Sequence, residues 1–305
     1  MQTISYELLQ TLKKGVNKIN DKALNIIRIF LKSQITDAGV FRNRAGKSDL
    51  YYTVFGLCCS LAIGDIGLNL KKINYYIENI DTAKLDLLHL ASYIRVKLLL
   101  KLLRTSNLIK KSLLLSGMNF QKILKDKKSF EILADMMKNG EKKRFPLLDE
   151  NTPYSLFIYL GAAQDCGFDA DKNYILKFID QYKIKNYAWG NIKNHKIISV
   201  NSTAAAIQIK RQFNESIDNE SIIYLKSQQC KNGGFLAEKN ANIPDLLSTS
   251  TALFILNKLN VRPEYNSEEF IKAHWMENGG FSATVLDDLA DCEYTFYGLL
   301  ALGSN

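Results

Sequence analysis

Residues 224–256 read YLKSQQCKNGGFLAEKNANIPDLLSTSTALFIL, and residues 270–302 read FIKAHWMENGGFSATVLDDLADCEYTFYGLLAL. The second stretch is the first, altered: Tyr224 to Phe270 is a step of 46 residues, and so is Asp245 to Asp291. One step further back lies FIDQYKIKNYAW at 178–189. FLKSQITDAGVF at 30–41 has the same spacing, an aromatic–aliphatic pair, nine residues and an aromatic. Self-similarity at a fixed period marks an array of one supersecondary unit.

The second half of each unit opens on a capping residue and runs into an apolar segment. DLLSTSTALFILNKL, DCEYTFYGLLAL and SDLYYTVFGLCCSLAIG share a register in which Asp245, Asp291 or Asp49 precedes Thr249, Thr295 or Thr53 by four residues. NTPYSLFIYLGAA from Asn151 and SVNSTAAAIQI from Ser199 fit with polar substitutes, and DLLHLASYIRV from Asp86 is the weakest member. An Asp or Ser before an apolar run at helical spacing is the signature of a helix start. The first half of each unit is a second helix ending in a Gly–aromatic corner, such as Glu220 to Gln229 before Gly233-Gly234.

Each unit is therefore a helix hairpin, and a hairpin cannot cover its own apolar face, so neighbours stack. The second helices are apolar nearly all round and are expected inside, whereas the first carry Lys, Glu and Asn and can face water. The expected fold is all-α, a single domain over 1–305. It is an (α/α)6 double-layered helical barrel of twelve helices, with repeats around 30–64, 75–104, 130–165, 178–210, 219–258 and 267–303.

Composition narrows the class. At 47% hydrophobic, 305 residues bury a large core, and four prolines with 17 glycines leave little room for disordered linkers. The five cysteines form no CxxC pair, which fits reduced core thiols in a cytoplasmic protein. No apolar run is long enough to span a bilayer. The net charge of +9 is scattered rather than interleaved with aromatics, so nucleic acid is not an expected partner; such a field also favours an anionic small molecule.

The spacing of Tyr224, Leu225, Gln229, Gly233 and Phe235 resembles the QW repeat. GGF followed by Asp-x3-Thr and an apolar helix is similar to the α/α toroid repeat of prenyltransferase β-subunits and squalene/hopene-type terpene cyclases. The same toroid also serves as a binding module, so the resemblance speaks first for fold. Zinc prenyltransferases place Asp-x-Cys at one inner helix and a His, one residue before the threonine, at a later one. Here Asp245 keeps the Asp, but Leu247 and Tyr294 fill the other two slots, so no zinc is expected. The DxDD motif of class II cyclases does not occur.

The last repeat does carry DDLAD. The resemblance implies Mg²⁺ held against a diphosphate by Asp287, Asp288 and Asp291; the other reading is that these carboxylates cap a helix and decorate a loop. The residue before each threonine is expected to face the central cavity, giving a ring of Tyr52, His89, Tyr154, Ser202, Ser248 and Tyr294, with Phe55, Tyr93, Phe157 and Tyr297 one turn deeper. Those aromatics either line a pocket for a prenyl chain or plug the core, and His89 is either an acid–base group or a core histidine. His195 and His274 are read as surface groups, and Trp189 and Trp275 as packing groups of their repeats.

The expected function is that of a terpene cyclase- or prenyltransferase-like enzyme binding a prenyl (di)phosphate in the barrel. Asp245, Asp291 and Tyr294 are the candidate catalytic groups, and Tyr52, His89, Tyr154, Ser202, Ser248 and Tyr297 the candidate substrate contacts. The alternatives are a non-catalytic toroid docking a partner protein, or an atypical prenyltransferase β-like subunit.

Overall fold

A computed structural model describes residues 2–64, 66–105, 120–139 and 152–305, and these are mostly helical, with thirteen α-helices. Six belong to the apolar class: α3 (Leu50–Ile63), α5 (Leu87–Arg104), α7 (Pro153–Cys166), α9 (Val200–Gln212), α11 (Leu246–Lys258) and α13 (Cys292–Ser304). Each is preceded by a less buried helix, respectively α2 (Asp21–Ser33), α4 (Leu70–Glu78), α6 (Lys127–Asn139), α8 (Lys172–Ile179), α10 (Asn219–Ser227) and α12 (Glu268–Ala273). These preceding helices bury one stripe only, for example Ile27, Phe30 and Leu31 of α2 or Ile73 and Ile77 of α4, at the i, i+3/i+4 spacing of an amphipathic helix. The six apolar helices pack each on the next, from α3 through α5, α7, α9 and α11 to α13, and α13 packs back on α3.

The turn inside four of the hairpins has the same geometry. Ile35 pairs with Phe41, Lys183 with Trp189, Gln229 with Phe235 and Trp275 with Phe281, always six residues apart. Among the described residues strand is confined to two short antiparallel pairs: β1 (Lys183–Ile184) with β2 (Ala188–Trp189), and β3 (Phe281–Ser282) with β4 (Ala290–Asp291). Gly233 and Gly279 sit at φ 90° and 94° in these turns, a region open to glycine. Gln229 then ties its corner to the next repeat, donating from Nε2 to Tyr265 O (2.8 Å) and accepting at Oε1 from Glu264 N (2.8 Å).

The Asp-x3-Thr register has a concrete cause. The threonine hydroxyl accepts the N–H of the corner aromatic and donates to the backbone oxygen of the capping residue. Phe235 N donates to Thr249 Oγ1 at 2.8 Å, and Thr249 Oγ1 donates to Asp245 O at 2.7 Å. Phe41 with Thr53 (3.1 Å) and Phe281 with Thr295 (3.3 Å) repeat it. Trp189 N donates to Thr203 Oγ1 at 3.1 Å, but there the hydroxyl turns to Trp189 O. The cap of α7 is Thr152, one residue later than the expected start at Asn151, which lies outside the described residues.

A thirteenth helix has no place in the period. α1 (Ile4–Val16) lies against the C-terminal halves of several apolar helices: Ile4 N donates to Gln164 Oε1 (2.9 Å), Lys13 Nζ to Ala62 O (2.9 Å), and Gln208 Nε2 to Glu7 Oε2 (2.9 Å), with Arg211 also on Glu7. Against α13 the two backbones nearly touch, because Gly15 and Gly303 face each other's helix and a Cβ at either would collide with a carbonyl. Twelve helices were expected; the repeat-based count missed α1 because it belongs to no hairpin.

His274, expected at the surface, is fully buried and its Nδ1 lies 2.8 Å from Phe270 O. It stands 46 residues after buried Gln228, so the period itself places it inside. His195 is exposed as expected. No helix among the described residues is long and apolar enough to cross a membrane.

Replacing Thr249 with Val removes the acceptor for a buried N–H at nearly constant volume. Thr249→Val is expected to destabilise by about 1–3 kcal/mol, read as a lower denaturant midpoint with unchanged slope; a midpoint like that of the wild type would remove the threonine clip as a stabilising contact.

Candidate functional site

A cavity of about 680 Å³ lies among the apolar helices, within the usual range for small-molecule sites. Its floor is α1, through Ser5, Leu8 and Leu9. Its wall is set by counting from each cap. Residues two past the cap all face it: Tyr51, Leu88, Tyr154, Asn201, Leu247 and Glu293. The next turns add Phe55, Phe157, Phe296 and Tyr297, and the layer nine past the cap brings Cys58, Arg95, Gln208, Phe254 and Leu300.

The expected ring stands one residue further along, and most of it misses the wall. Tyr52, His89, Ser202, Ser248 and Tyr294 are three past the cap and give their backbone N–H to the capping side chain, at 3.1, 2.7, 3.3, 2.7 and 2.8 Å. One residue is about 100° of helix turn, so these side chains point along the wall rather than into the cavity. Tyr154 does line it, because its cap is Thr152. Of the deeper set, Phe55, Phe157 and Tyr297 line the cavity and Tyr93 does not. His89 Nδ1 lies 2.7 Å from Asp86 Oδ1, and that hydrogen bond raises the imidazole above its ordinary value.

Asp245 and Asp291 are the N-caps of α11 and α13, and burial pushes both carboxyls up. In the DDLAD segment, two carboxylates converge on a cation supplied by the chain. Arg44, from the first hairpin, places Nη2 2.8 Å from Asp287 Oδ2 and Nε 2.6 Å from Asp291 Oδ2. Its guanidinium also lies 5.2 Å from the centre of the Tyr294 ring. Against the cost of burial, Arg44 holds the Asp287 carboxyl low. No cluster of three or more His, Cys, Asp or Glu arranged for a metal occurs among the described residues, and the oxygens a divalent ion would need at Asp287 and Asp291 face a guanidinium instead.

The acid that faces the cavity is Glu293, a residue the DDLAD and DxDD patterns both pass over. Tyr51 donates to its Oε1 at 2.6 Å. Burial raises the Glu293 carboxyl to about 7; nearby Asp291 adds to this, while the Tyr51 hydrogen bond and Arg44 oppose it. Around it the aromatic wall is continuous, with ring centres 4.8 Å apart for Tyr51–Phe55, 5.1 Å for Phe55–Phe296 and 5.8 Å for Phe55–Tyr297. A carboxylic acid still protonated near neutrality can donate a proton to a bound molecule, and the π faces beside it can stabilise positive charge that develops there. Counting two residues past each capping Asp would have found Glu293 in the sequence.

No family model matches the chain, and no curated protein matches it in sequence.

An unfolded glutamate titrates near about 4.3, whereas folded Glu293 keeps its proton up to about 7. Its raised value contributes stability that is complete below the unfolded pKa and is lost as pH rises through the folded one. The melting temperature of the wild type relative to Glu293→Gln is therefore expected to fall between about pH 4.5 and about pH 7 and to level off above. A difference independent of pH over that window would show that Glu293 is already ionised in the folded protein.

Proposed function

We propose that the six hairpins close on themselves as an (α/α)6 double-layered barrel. Its cavity takes an isoprenoid-like apolar molecule, on which the protein performs a proton-initiated rearrangement. The return of α13 onto α3 supports the closed barrel, as does the reach of Arg44 from the first hairpin to the last. The chemistry rests on one observation: Glu293, with its carboxyl at about 7, stands in the wall of an apolar, aromatic cavity.

In this reading the Glu293 proton passes to a double bond of the ligand, forming a C–H bond and leaving a carbocation. Tyr51 orients the acid, and the rings of Phe55, Phe296 and Tyr297 face the cation. Loss of a proton from a neighbouring carbon to the Glu293 carboxylate re-forms an alkene and restores the acid, so the product is an isomer of the substrate. Asp245 and Asp291 serve as caps, Tyr294 covers Arg44, and Tyr154 and Tyr297 are the substrate contacts retained from the sequence. Incubated with polyprenyl hydrocarbons and alcohols, the protein is expected to yield isomerised or cyclised products by gas chromatography–mass spectrometry. Glu293→Gln keeps the shape of the acid without its proton and is expected to lower the rate by about 100-fold or more. Equal product from Glu293→Gln would end the acid assignment. Ala205→Trp, which fills the cavity, should abolish farnesol binding; binding that survives it would place the ligand elsewhere and favour a scaffold role for the fold.

A second reading puts a prenyl diphosphate at the lip, with Mg²⁺ on Asp287, Asp288 and Asp291. It draws on the convergence of the Asp287 and Asp291 oxygens on one cation position, and it requires Arg44 to leave. With Arg44 in place, affinity for farnesyl diphosphate is expected to be insensitive to Mg²⁺ and to become Mg²⁺-dependent in Arg44→Gln. Wild-type affinity that rises with Mg²⁺ would favour the metal reading.

A further inference from the structure

The cavity has a second polar pole that plays no part in the proton chemistry. Arg95 faces the cavity from α5, nine residues past its cap, and its Nε donates to Oδ2 of Asp165 on α7 at 2.7 Å. The pair is deep: side-chain exposure is 16% for Arg95 and 0% for Asp165. Gly161 makes room for it, since a Cβ there would lie 2.8 Å from Arg95 Nη2. From the helical rise, this layer is roughly 10 Å further in than the layer of Glu293 and Tyr154.

The pole is incompletely satisfied. A guanidinium carries five N–H donors, and among the described residues only the Nε of Arg95 meets an acceptor. Ser5, 3% exposed, lines the same cavity from α1; among the described residues its Oγ makes no hydrogen bond of good geometry, and the acceptor beside it is the Asp165 carboxylate, whose Oδ1 also lacks one. The remaining Arg95 donors border the cavity, where an oxygen of a bound molecule can accept them. The floor of the cavity is therefore built to receive an oxygen.

We propose that the Arg95–Ser5 pole binds an uncharged oxygen, a hydroxyl, carbonyl or ether, at the inner end of the ligand. The substrate class is then an oxygenated apolar chain rather than a pure hydrocarbon or an acid. Charge decides between these. Arg95 and Asp165 already neutralise each other, so a neutral acceptor completes the donors at no electrostatic cost, whereas a carboxylate or phosphate would leave one buried negative charge uncompensated. This inference rests on the cavity being the ligand site proposed above.

The test is displacement of Nile red from the full-length protein at pH 8 by two matched sets: farnesene, farnesol and farnesoate, and dodecane, dodecanol and dodecanoate. The comparison variant is Arg95→Met/Asp165→Leu, which removes both charges and so strands neither, with its melting temperature and circular dichroism recorded alongside. The alcohol-to-hydrocarbon affinity ratio is expected to be about tenfold or more higher in the wild type than in the double variant. Ser5→Ala is expected to lower it in the same direction, and each alcohol should outbind its carboxylate in the wild type. An equal ratio in the two proteins would make Arg95 a purely structural residue and overturn the inference, as would tighter binding of the carboxylates. Displacement by the dodecyl set alone would reject the isoprenoid class and leave the oxygen pole standing; displacement by neither set would overturn both.

Discussion

The N–H of each corner aromatic points into the protein, where water cannot reach it, and a threonine hydroxyl on the following helix accepts it. At Phe235, Thr249 and Asp245 that one contact joins three things: the turn, the first turn of the apolar helix and the residue that caps it. An unsatisfied buried N–H costs about 1–3 kcal/mol, and the contact recurs around the molecule, so the turn and the helix start cannot drift independently. Once the cap is fixed, the direction of every later side chain follows from the helical repeat. The cavity wall is in this sense a consequence of the corner.

That dependence also explains what could be read from the residues and what could not. The 46-residue step and the Asp-x3-Thr register are local, and they gave the caps Asp49, Asp86, Ser199, Asp245 and Asp291, with Thr152 standing one residue beyond the expected Asn151. The cavity ring was placed one residue late, because the residue three past the cap commits its own backbone to the capping oxygen and turns aside. Tyr154 was placed correctly only because its cap also stands one residue later. Contacts that span the chain left no local signal. Arg44 meets Asp291 across 247 positions and Asp287 across 243, so the carboxylates of DDLAD were visible and their cation was not. His274 shows the opposite case: its identity suggested the surface, and its position in the repeat, equivalent to Gln228, was the better guide.

The charges at the cavity are individually settled. Glu293 is held protonated up to about 7, Arg95 is matched by Asp165, and Arg44 by two aspartates. A chain of net charge +9 thus surrounds an interior whose ionisable groups balance locally. Such an interior does not repel an uncharged hydrophobic molecule, and it offers little to an ion that must give up its hydration.

The packing of α1 on α13 sets an order of assembly. Lys18, just beyond α1, reaches Asn305 O across 287 residues, and the glycine faces of Gly15 and Gly303 admit only each other's backbone. α1 is synthesised early, but much of the surface it buries does not exist until α13 has been made. Contacts of such sequence separation are slow to form, and the intermediates that precede them expose the hydrophobic surface on which chaperones act. Docking of the helix that floors the cavity therefore has to wait for the last helix of the chain.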